Sequence, residues 1–234
     1  KSPGLSPRDE RVAALLKAAR DQGVAIQGEL DLFAHALADL EEERAYTPQV
    51  VAITGTNGKT TTTALTALLI ERCGRRVASA GNIGPTMLDT LAPALDAKDE
   101  EGEAAPLPEV WVLELSSFQL DGVKDFEPAA ATVLNVTQDH LDWHGTMDAY
   151  TAAKTRVFGQ HAAMVLNRDD ALVAAMAPRP VTVKGKSKAS QREVITFGLD
   201  APQHAGDFGL VVENGMAWLV RAVSDEQPGT RKRG

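Results

Sequence analysis

The chain has 234 residues, of which 44% are hydrophobic, so it is long and apolar enough for one large domain or two smaller ones. Its formal charge of −8 argues against a general nucleic-acid-binding protein, no apolar run is long enough to span a membrane, and no signal peptide is visible. The single cysteine, Cys73, excludes an intramolecular disulfide and fits a reducing compartment such as the cytoplasm.

The first 45 residues predict a turn, a helix, a short strand and a second helix. Ser6 favours a helix start as the N-cap, and Gly23 favours its end. Residues 24–26 are typical of a short parallel strand, and residues 29–40 predict the second helix, followed by a charged linker at residues 41–48. So short a segment of this pattern indicates the end of an α/β domain.

Residues 54–60, with the sequence Thr-Gly-Thr-Asn-Gly-Lys-Thr, lie between a predicted apolar strand and a predicted helix at residues 61–72. A glycine-containing turn in this position directs backbone N–H groups and the positive end of the helix dipole toward one point, which suits phosphate. Lys59 would reach the outer phosphates of a nucleotide, and the Thr60 hydroxyl would ligate Mg²⁺. Ile53 departs from the general P-loop pattern, which has glycine there. We interpret the loop as a nucleoside triphosphate site in preference to a structural turn with a surface lysine.

From residue 50 onward, predicted strands alternate with helices, and strands such as Val110-Trp111-Val112-Leu113 are apolar throughout. This pattern is typical of a parallel sheet covered on both faces. The predicted fold class is therefore α/β, with a doubly wound, mostly parallel sheet that binds ligands at the carboxyl ends of its strands. Glu213-Asn214-Gly215 predicts a hairpin turn, and the polar tail, residues 227–234, predicts a disordered linker. The predicted strands cover residues 50–53, 76–79, 110–115, 131–136, 163–167, 181–183, 194–197, 208–212 and 216–220.

Two polar side chains follow predicted strands. Glu114 ends an apolar strand, where a P-loop fold holds magnesium, although a strand-end charge that faces water is the alternative. The stretch Gly81-Asn82-Ile83-Gly84 follows the second strand. Its glycines allow a ligand to approach closely, and Asn82 offers both a donor and an acceptor. A tight strand-to-helix turn would also explain this stretch.

Two histidines four residues apart, His140 and His144, would fit zinc on a helix, but the competing phosphate site makes zinc the weaker interpretation. His140 comes just after a strand end and is predicted to face the nucleotide. His144 is predicted to lie on the surface. Asp139 favours either a functional role or the N-cap of the next helix.

Lys154 falls on the apolar face of a predicted helix, with Tyr150 four residues before it and Phe158 four residues after it. One explanation is a packed stem whose ammonium reaches water. The other is a desolvated amine, since burial favours neutral lysine. A neutral amine can add CO₂ to become a carbamate, which is an anionic oxygen ligand for Mg²⁺. The pattern alone leaves both explanations open.

These motifs, in this order, resemble those of the Mur ligase family, and those of its D-glutamate-adding branch in particular. The phosphate loop also resembles that of folylpolyglutamate synthetase. The more specific motifs are Gly81-Asn82-Ile83-Gly84, Leu113-Glu114-Leu115-Ser116-Ser117-Phe118-Gln119-Leu120, Leu134-Asn135-Val136-Thr137, Asp139-His140-Leu141-Asp142 and Tyr150-Thr151-Ala152-Ala153-Lys154. The resemblance covers most of residues 50–220, and Ser2-Pro3-Gly4 extends it toward the N-terminus.

The resemblance implies three regions. Residues 1–45 would be the end of a Rossmann-like domain that binds the UDP substrate, residues 46–222 the central ATP-binding domain, and residues 223–234 a linker toward a third domain. It also implies an ADP-forming carboxylate–amine ligase of peptidoglycan precursor synthesis. ATP would phosphorylate the carboxylate of UDP-N-acetylmuramoyl-L-alanine, and the amine of D-glutamate would displace the phosphate.

The residue roles that the resemblance implies fall into three sets. The ATP-binding set is Gly55, Thr56, Asn57, Gly58, Lys59, Thr60 and Thr61. Thr60 and Glu114 would hold one Mg²⁺, and His140 with carbamylated Lys154 a second, so that Lys59, Glu114, His140 and Lys154 form the catalytic set. The substrate-binding set is Ser2, Pro3, Gly4, Asn82, Ser116 and His140.

We expect a monomer that acts on small molecules, without nucleic-acid or membrane partners. Two rival functions remain from the sequence. Another Mur-type or folylpolyglutamate ligase would share the phosphate loop, but Leu115-Ser116-Ser117-Phe118 disfavours it. A non-catalytic nucleotide-binding module would not need Glu114, His140 and Lys154 together.

Overall fold

The computed structural model describes residues 1–178, 181–183, 186–188 and 192–224. None of the helices in this part of the chain combines the length and the apolar character needed to cross a bilayer. The elements are α1 Glu10–Asp21, α2 Glu29–Arg44, β1 Gln49–Thr54, α3 Lys59–Arg72, β2 Val77–Gly81, α4 Met87–Asp96, β3 Val110–Glu114, α5 Ser117–Leu120, β4 Ala130–Val133, α6 Leu141–His144, α7 Met147–Thr155, β5 Ala163–Asn167, α8 Ala171–Ala174, β6 Val181–Val183, β7 Lys186–Lys188, β8 Val194–Phe197, β9 Phe208–Glu213 and β10 Met216–Arg221.

Eight strands form one sheet in the order β10-β9-β8-β5-β4-β1-β3-β2. All pairs from β2 to β9 are parallel, and only the terminal pair, β9 with β10, is antiparallel. This architecture confirms the predicted α/β class and mostly parallel sheet. Parallel strands end at the same edge, so the segments after β1, β2, β3 and β4 converge there.

Strand β3 lies in the middle of the core, and all five of its residues are buried. Trp111 packs with the larger apolar cluster, whereas Val112 belongs to a second cluster against α3. Phe33 of α2 is fully buried and meets the Trp111 ring edge-on, with 4.9 Å between the ring centroids. The side chains of β3 therefore alternate between two helix-covered faces, and α2 shares the core of the central sheet.

The N-terminal predictions were partly wrong. Helix α1 begins at Glu10 because Asp9 is its N-cap, with a carboxylate that accepts the Arg11 N–H; Ser6 is not the cap. Residues 24–26 do not form a strand, since none of the described strands pairs with them. Helix α2 continues to Arg44, and the predicted charged linker supplies its last turn.

The later elements match the prediction more closely. Asn214 and Gly215 both have positive φ, 51° and 78°, which confirms the hairpin turn between β9 and β10. Strand β6 forms as predicted, but it pairs with β7 in a separate antiparallel hairpin. The predicted linker at residues 227–234 lies outside the described residues.

Candidate active site

One small cavity, of about 90 Å³, lies at the carboxyl edge of the sheet. Its walls come from the phosphate loop after β1, the turn after β2, the segments after β3 and β4, and helix α7. Several predicted site residues line it, namely Gly55, Thr56, Lys59, Asn82, Ser116, His140 and Lys154, together with Ser117, Phe118, Asp139 and Tyr150. The topology thus brings together residues that are up to 99 positions apart in the chain.

The phosphate loop is fastened by Asn135, which follows β4. The Asn57 N–H donates to the Asn135 side-chain oxygen at 2.9 Å, and the Asn135 amide donates to the Asn57 carbonyl at 3.1 Å. The Thr56 N–H also donates to the Asn135 carbonyl. Asn135 was not among the predicted site residues. The sequence feature that could have identified it is a polar residue just beyond a buried strand, at the same edge of the sheet as the phosphate loop.

Two lysines meet at the phosphate loop. Lys59, the first residue of α3, donates to the carbonyls of Gly55 and Thr56 at 3.1 and 3.0 Å. Lys154 of α7 donates to the Gly55 carbonyl at 2.8 Å and to the Thr54 hydroxyl at 3.5 Å. The two ammonium groups therefore share one acceptor.

Lys154 is a buried amine, with 2% of its surface exposed. Its pKa is lowered to about 7, mainly by desolvation and also by the nearby Lys59 charge, while Asp139 opposes the shift. No carboxylate among the described residues forms an ion pair with it. The structure thus favours the desolvated amine over a side chain that reaches water.

Tyr150 links helix α7 to the phosphate loop. Its hydroxyl lies 3.1 Å from the Thr56 hydroxyl, and its ring centroid lies 4.7 Å from the Lys154 nitrogen. The ring is buried, and this burial raises the pKa of the Tyr150 phenol. Tyr150 therefore fixes the spacing between Lys154 and the loop.

Glu114 ends β3 and is 3% exposed. Strand register places it beside Gly81, and the next residue, Asn82, donates to it twice: from its backbone N–H to the Glu114 carbonyl at 2.7 Å, and from its amide to the carboxylate at 3.1 Å. Within the described chain this carboxylate has no other hydrogen-bond donor and no ion pair. A buried carboxylate so poorly compensated is suited to bind a cation.

Thr60 and Glu114 line a second cleft, of about 420 Å³, between α3 and the edge strand β2. No described residue hydrogen-bonds to the exposed Thr60 hydroxyl. Carboxylate and hydroxyl oxygens are hard donors of the kind that Mg²⁺ prefers. This donor pair therefore fits the predicted first magnesium site.

His140 lies at the small cavity in a left-handed conformation, with a φ of 51°. The Asp139 carboxylate accepts the His140 backbone N–H at 2.9 Å and lies 3.3 Å from the His140 ring nitrogen Nε2. The N-cap residue of the next helix, α6, is His140 and not Asp139. No group of three His, Cys, Asp or Glu side chains in the described residues could hold a metal ion. The zinc interpretation therefore has no support in this part of the chain.

His144 was predicted to lie on the surface, and this was wrong. It is 5% exposed, and its Nε2 lies 2.9 Å from the buried Ser117 hydroxyl. Burial is the main cause that lowers the pKa of His144, which keeps the imidazole neutral near pH 7. The aromatic cluster of Phe118, Trp143 and Tyr150 that encloses it could not be read from local sequence.

The substrate-binding set is only partly brought together. Ser116 caps α5, exchanging hydrogen bonds with Gln119, and it also lines the small cavity. Ser2, Pro3 and Gly4 lie in an N-terminal turn. Pro3 lines a cleft of about 340 Å³ that is distinct from the small cavity. Phe118 lines both spaces, so it separates the cleft of the N-terminal segment from the small cavity.

Sequence relatives match the chain over all or nearly all of its length. The chain is 57% identical over 234 residues to a UDP-N-acetylmuramoylalanine–D-glutamate ligase of Albidiferax ferrireducens, and 57% identical over 222 residues to one of Burkholderia mallei. These alignments cover 100% and 95% of the chain, but it spans only 44% and 41% of the length of those relatives.

Solved structures agree on the fold. A UDP-N-acetylmuramoyl-L-alanyl-D-glutamate–2,6-diaminopimelate ligase has a TM-score of 0.55 and 26% identity, covering 85% of this chain and 44% of its own. A MurF ligase from Thermotoga maritima in complex with ADP has a TM-score of 0.54 and 22% identity, and the match covers 83% of this chain and 42% of the MurF chain. A family model for the Mur ligase middle domain matches residues 53–217. The chain therefore belongs to the Mur ligase family and carries its middle domain.

Proposed function

We propose that the protein that carries this chain is an ATP-dependent, ADP-forming ligase that adds D-glutamate to UDP-N-acetylmuramoyl-L-alanine. The observation that carries the proposal is a buried, poorly compensated carboxylate, Glu114, beside a phosphate loop and a buried amine, Lys154. The names of the relatives at 57% identity support the choice of amine and acceptor. We also infer a cytoplasmic location, because the proposed reaction uses ATP and a UDP-linked precursor. We expect the protein to act as a monomer on these small-molecule substrates.

ATP would bind at residues 55–61. Their backbone N–H groups lie at the start of α3, where the helix dipole attracts phosphate, and Lys59 is within reach of the same loop. Two structural relatives, the Thermotoga MurF ligase and E. coli FolC, were solved with ADP. Lys59 would exchange its bonds to the Gly55 and Thr56 carbonyls for the outer phosphates.

Magnesium would be held by Thr60 and Glu114, and a second ion by His140 and a carbamylated Lys154. When bound, the two ions would neutralise charge on the transferring phosphoryl group. Neutral Lys154 would attack CO₂ through its nitrogen lone pair, form an N–C bond and release one proton. A pKa of about 7 leaves a substantial neutral fraction of Lys154 under physiological conditions, which this reaction requires.

The small cavity would hold only the reacting end of the substrate. Asn82, Ser116 and His140 line its walls, where they would orient the carboxylate that receives the phosphoryl group. Ser2, Pro3 and Gly4 would contact the uridine diphosphate end. We propose residues 1–45 as the end of the UDP-substrate domain, 46–222 as the ATP-binding domain and 223–234 as a linker.

The test uses the full-length protein with UDP-N-acetylmuramoyl-L-alanine, D-glutamate, ATP and Mg²⁺, and measures phosphate release and the amide product. We expect turnover only when all four are present. Activity with folates or with another amino acid would identify a different ligase. ATP binding without phosphate release would identify a non-catalytic module.

A matched pair of variants tests the residue that carries the proposal. Glu114→Gln keeps the size of the side chain and removes its charge, so we expect weaker Mg²⁺ binding and a lower kcat. Glu100→Gln removes the same charge from an exposed loop and should change neither quantity. Equal Mg²⁺ dependence in both variants would contradict the assignment of Glu114.

A further inference from the structure

We propose that His144 is a positioning residue that holds Phe118, and through it His140, at the wall of the small cavity. The inference rests on the proposed function, because it assigns a purpose to residues around the substrate site. His144 itself does not line the cavity. It contacts Phe118, which does line the cavity.

The first contact is polar and buried. His144 Nε2 lies 2.9 Å from the hydroxyl of Ser117, the first residue of α5, and both side chains are at least 95% buried. A buried hydrogen bond between side chains resists displacement, because breaking it leaves two unpaired polar groups. The bond therefore ties α6 to the start of α5.

The second contact is aromatic. The His144 ring stacks on Phe118, with an interplanar angle of 5° and 5.8 Å between centroids. The His140 ring packs on Phe118 at 4.6 Å. Phe118 thus contacts both histidine rings, and its orientation is transmitted to the His140 side chain.

The third contact acts on the backbone. His140 has a positive φ, which is unfavourable for a residue with a Cβ, and its carbonyl accepts the His144 N–H at 2.9 Å. The His144 carbonyl in turn accepts an Arg8 N–H at 2.8 Å. A Cβ at Gly145 would overlap the Arg8 guanidinium, so the N-terminal segment is in close contact with the turn that follows His144. Side-chain and backbone contacts of His144 therefore act together on His140.

The experiment is a double-mutant cycle in the full-length protein, with the Kd for UDP-N-acetylmuramoyl-L-alanine measured by titration calorimetry. His144→Phe keeps a ring that can stack and removes the bond to Ser117. We expect the Kd to rise about tenfold, the factor that a lost hydrogen bond of ordinary strength gives, while the Kd for ATP changes by less than about twofold. In a His140→Gln background, His144→Phe should change the Kd by less than about twofold, since the residue acts through His140.

Three further variants sharpen the test. Ser117→Ala removes the same hydrogen bond with little change in volume, so it should weaken binding in the same way even where His144→Phe folds poorly. His144→Gln places an amide near the Nε2 position and should recover part of the affinity. Asp142→Asn, on the exposed side of the same short helix, should leave both Kd values unchanged. A purely structural role would lower the melting temperature without separating the two Kd values, and that result would overturn the proposal.

A readout independent of substrate separates this proposal from the proposed function. The ring C–H resonances of His140, recorded by ¹³C-correlated NMR, should shift in Ser117→Ala and His144→Phe, because Phe118 moves relative to them. They should stay in place in Asp142→Asn. Unchanged His140 resonances in the first two variants would overturn the positioning role. If the wild-type protein does not bind the UDP substrate, yet the two variants show these shifts, the result would refute the proposed function alone.

Discussion

Lys59 and Lys154 donate to the same carbonyl oxygen, that of Gly55, at 3.1 and 2.8 Å. Two ammonium groups that share one acceptor repel each other, and this repulsion adds to burial in lowering the pKa of Lys154. The residue proposed to bind phosphate therefore helps to keep the other lysine neutral.

Removal of the Lys59 charge should raise the pKa of Lys154 above about 7. In Lys59→Met, carbamate formation at Lys154 should then require a higher pH, since only the neutral amine reacts with CO₂. ¹³C NMR of protein equilibrated with ¹³CO₂ would follow the carbamate signal from pH 6 to 9. Lys98→Met, which removes an exposed lysine, is the control. A midpoint that stays in place or moves to lower pH would contradict the coupling.

The stability of the protein should depend on pH through Lys154. Its pKa of about 7 in the folded state lies below the usual 10.5, so between these values the unfolded chain binds the extra proton. The free energy of unfolding should therefore rise as the pH rises from about 7 to 10.5, by on the order of a few kcal/mol from this group. Urea unfolding of wild type and Lys154→Met at several pH values measures the difference. Parallel pH profiles for the two proteins would show that the amine titrates normally.

Lys154→Ala should abolish turnover while the fold remains intact. Short carboxylates added to the assay should restore part of the activity, because they supply the oxygen ligand that a carbamate would provide. Circular dichroism checks the fold, and phosphate release checks the rescue. Failure of rescue, together with an unmodified mass at Lys154 in the wild type, would argue against the carbamate.

Gly81→Ala should disturb the Glu114 site. A Cβ at Gly81, where φ is 130°, would overlap the Glu114 carbonyl oxygen and push β2 away from β3. We expect destabilisation of more than about 2 kcal/mol and weaker Mg²⁺ binding. Gly74→Ala is the matched control, since Gly74 also has a positive φ but open space around it. Equal urea midpoints for both variants would show that the close approach to Glu114 is unimportant.

Phe33→Ala should destabilise the whole central sheet by about 3–5 kcal/mol, because it empties a fully buried site against Trp111. The neighbouring residue Leu32 is 45% exposed, and Leu32→Ala should cost less than about 1 kcal/mol. Urea unfolding followed by Trp fluorescence measures both. A small effect at Phe33 would mean that α2 is not part of the cooperative unit.

The α/β class, the mostly parallel sheet and its ligand-binding edge followed from sequence because each depends on local patterns. Apolar strands alternate with helices, and polar residues such as Asn82, Glu114 and His140 come at or soon after strand ends. In a parallel sheet such residues converge without any further information. The glycine-containing loop at residues 54–60 predicted where along this edge the phosphate site lies.

The remaining features depend on contacts between distant parts of the chain. The bond between Asn82 and Glu114 requires the register of β2 on β3, and the burial of His144 requires the Phe118 cluster to close over it. Residues 24–26 have a strand-like composition, but no described strand pairs with them. Local composition carries none of this information, which is why the surface prediction for His144 was wrong.

The turn at Asn214-Gly215 offers a practical attachment point. It lies at the end of the outermost strand, β10, with four strands between β10 and β1. At about 4.8 Å per strand, the two strands are roughly 24 Å apart across the sheet. Because β9 runs parallel to β1, the turn lies at the same edge of the sheet as Lys59 and Lys154, so a fluorophore joined there would report on that edge from a position outside the small cavity.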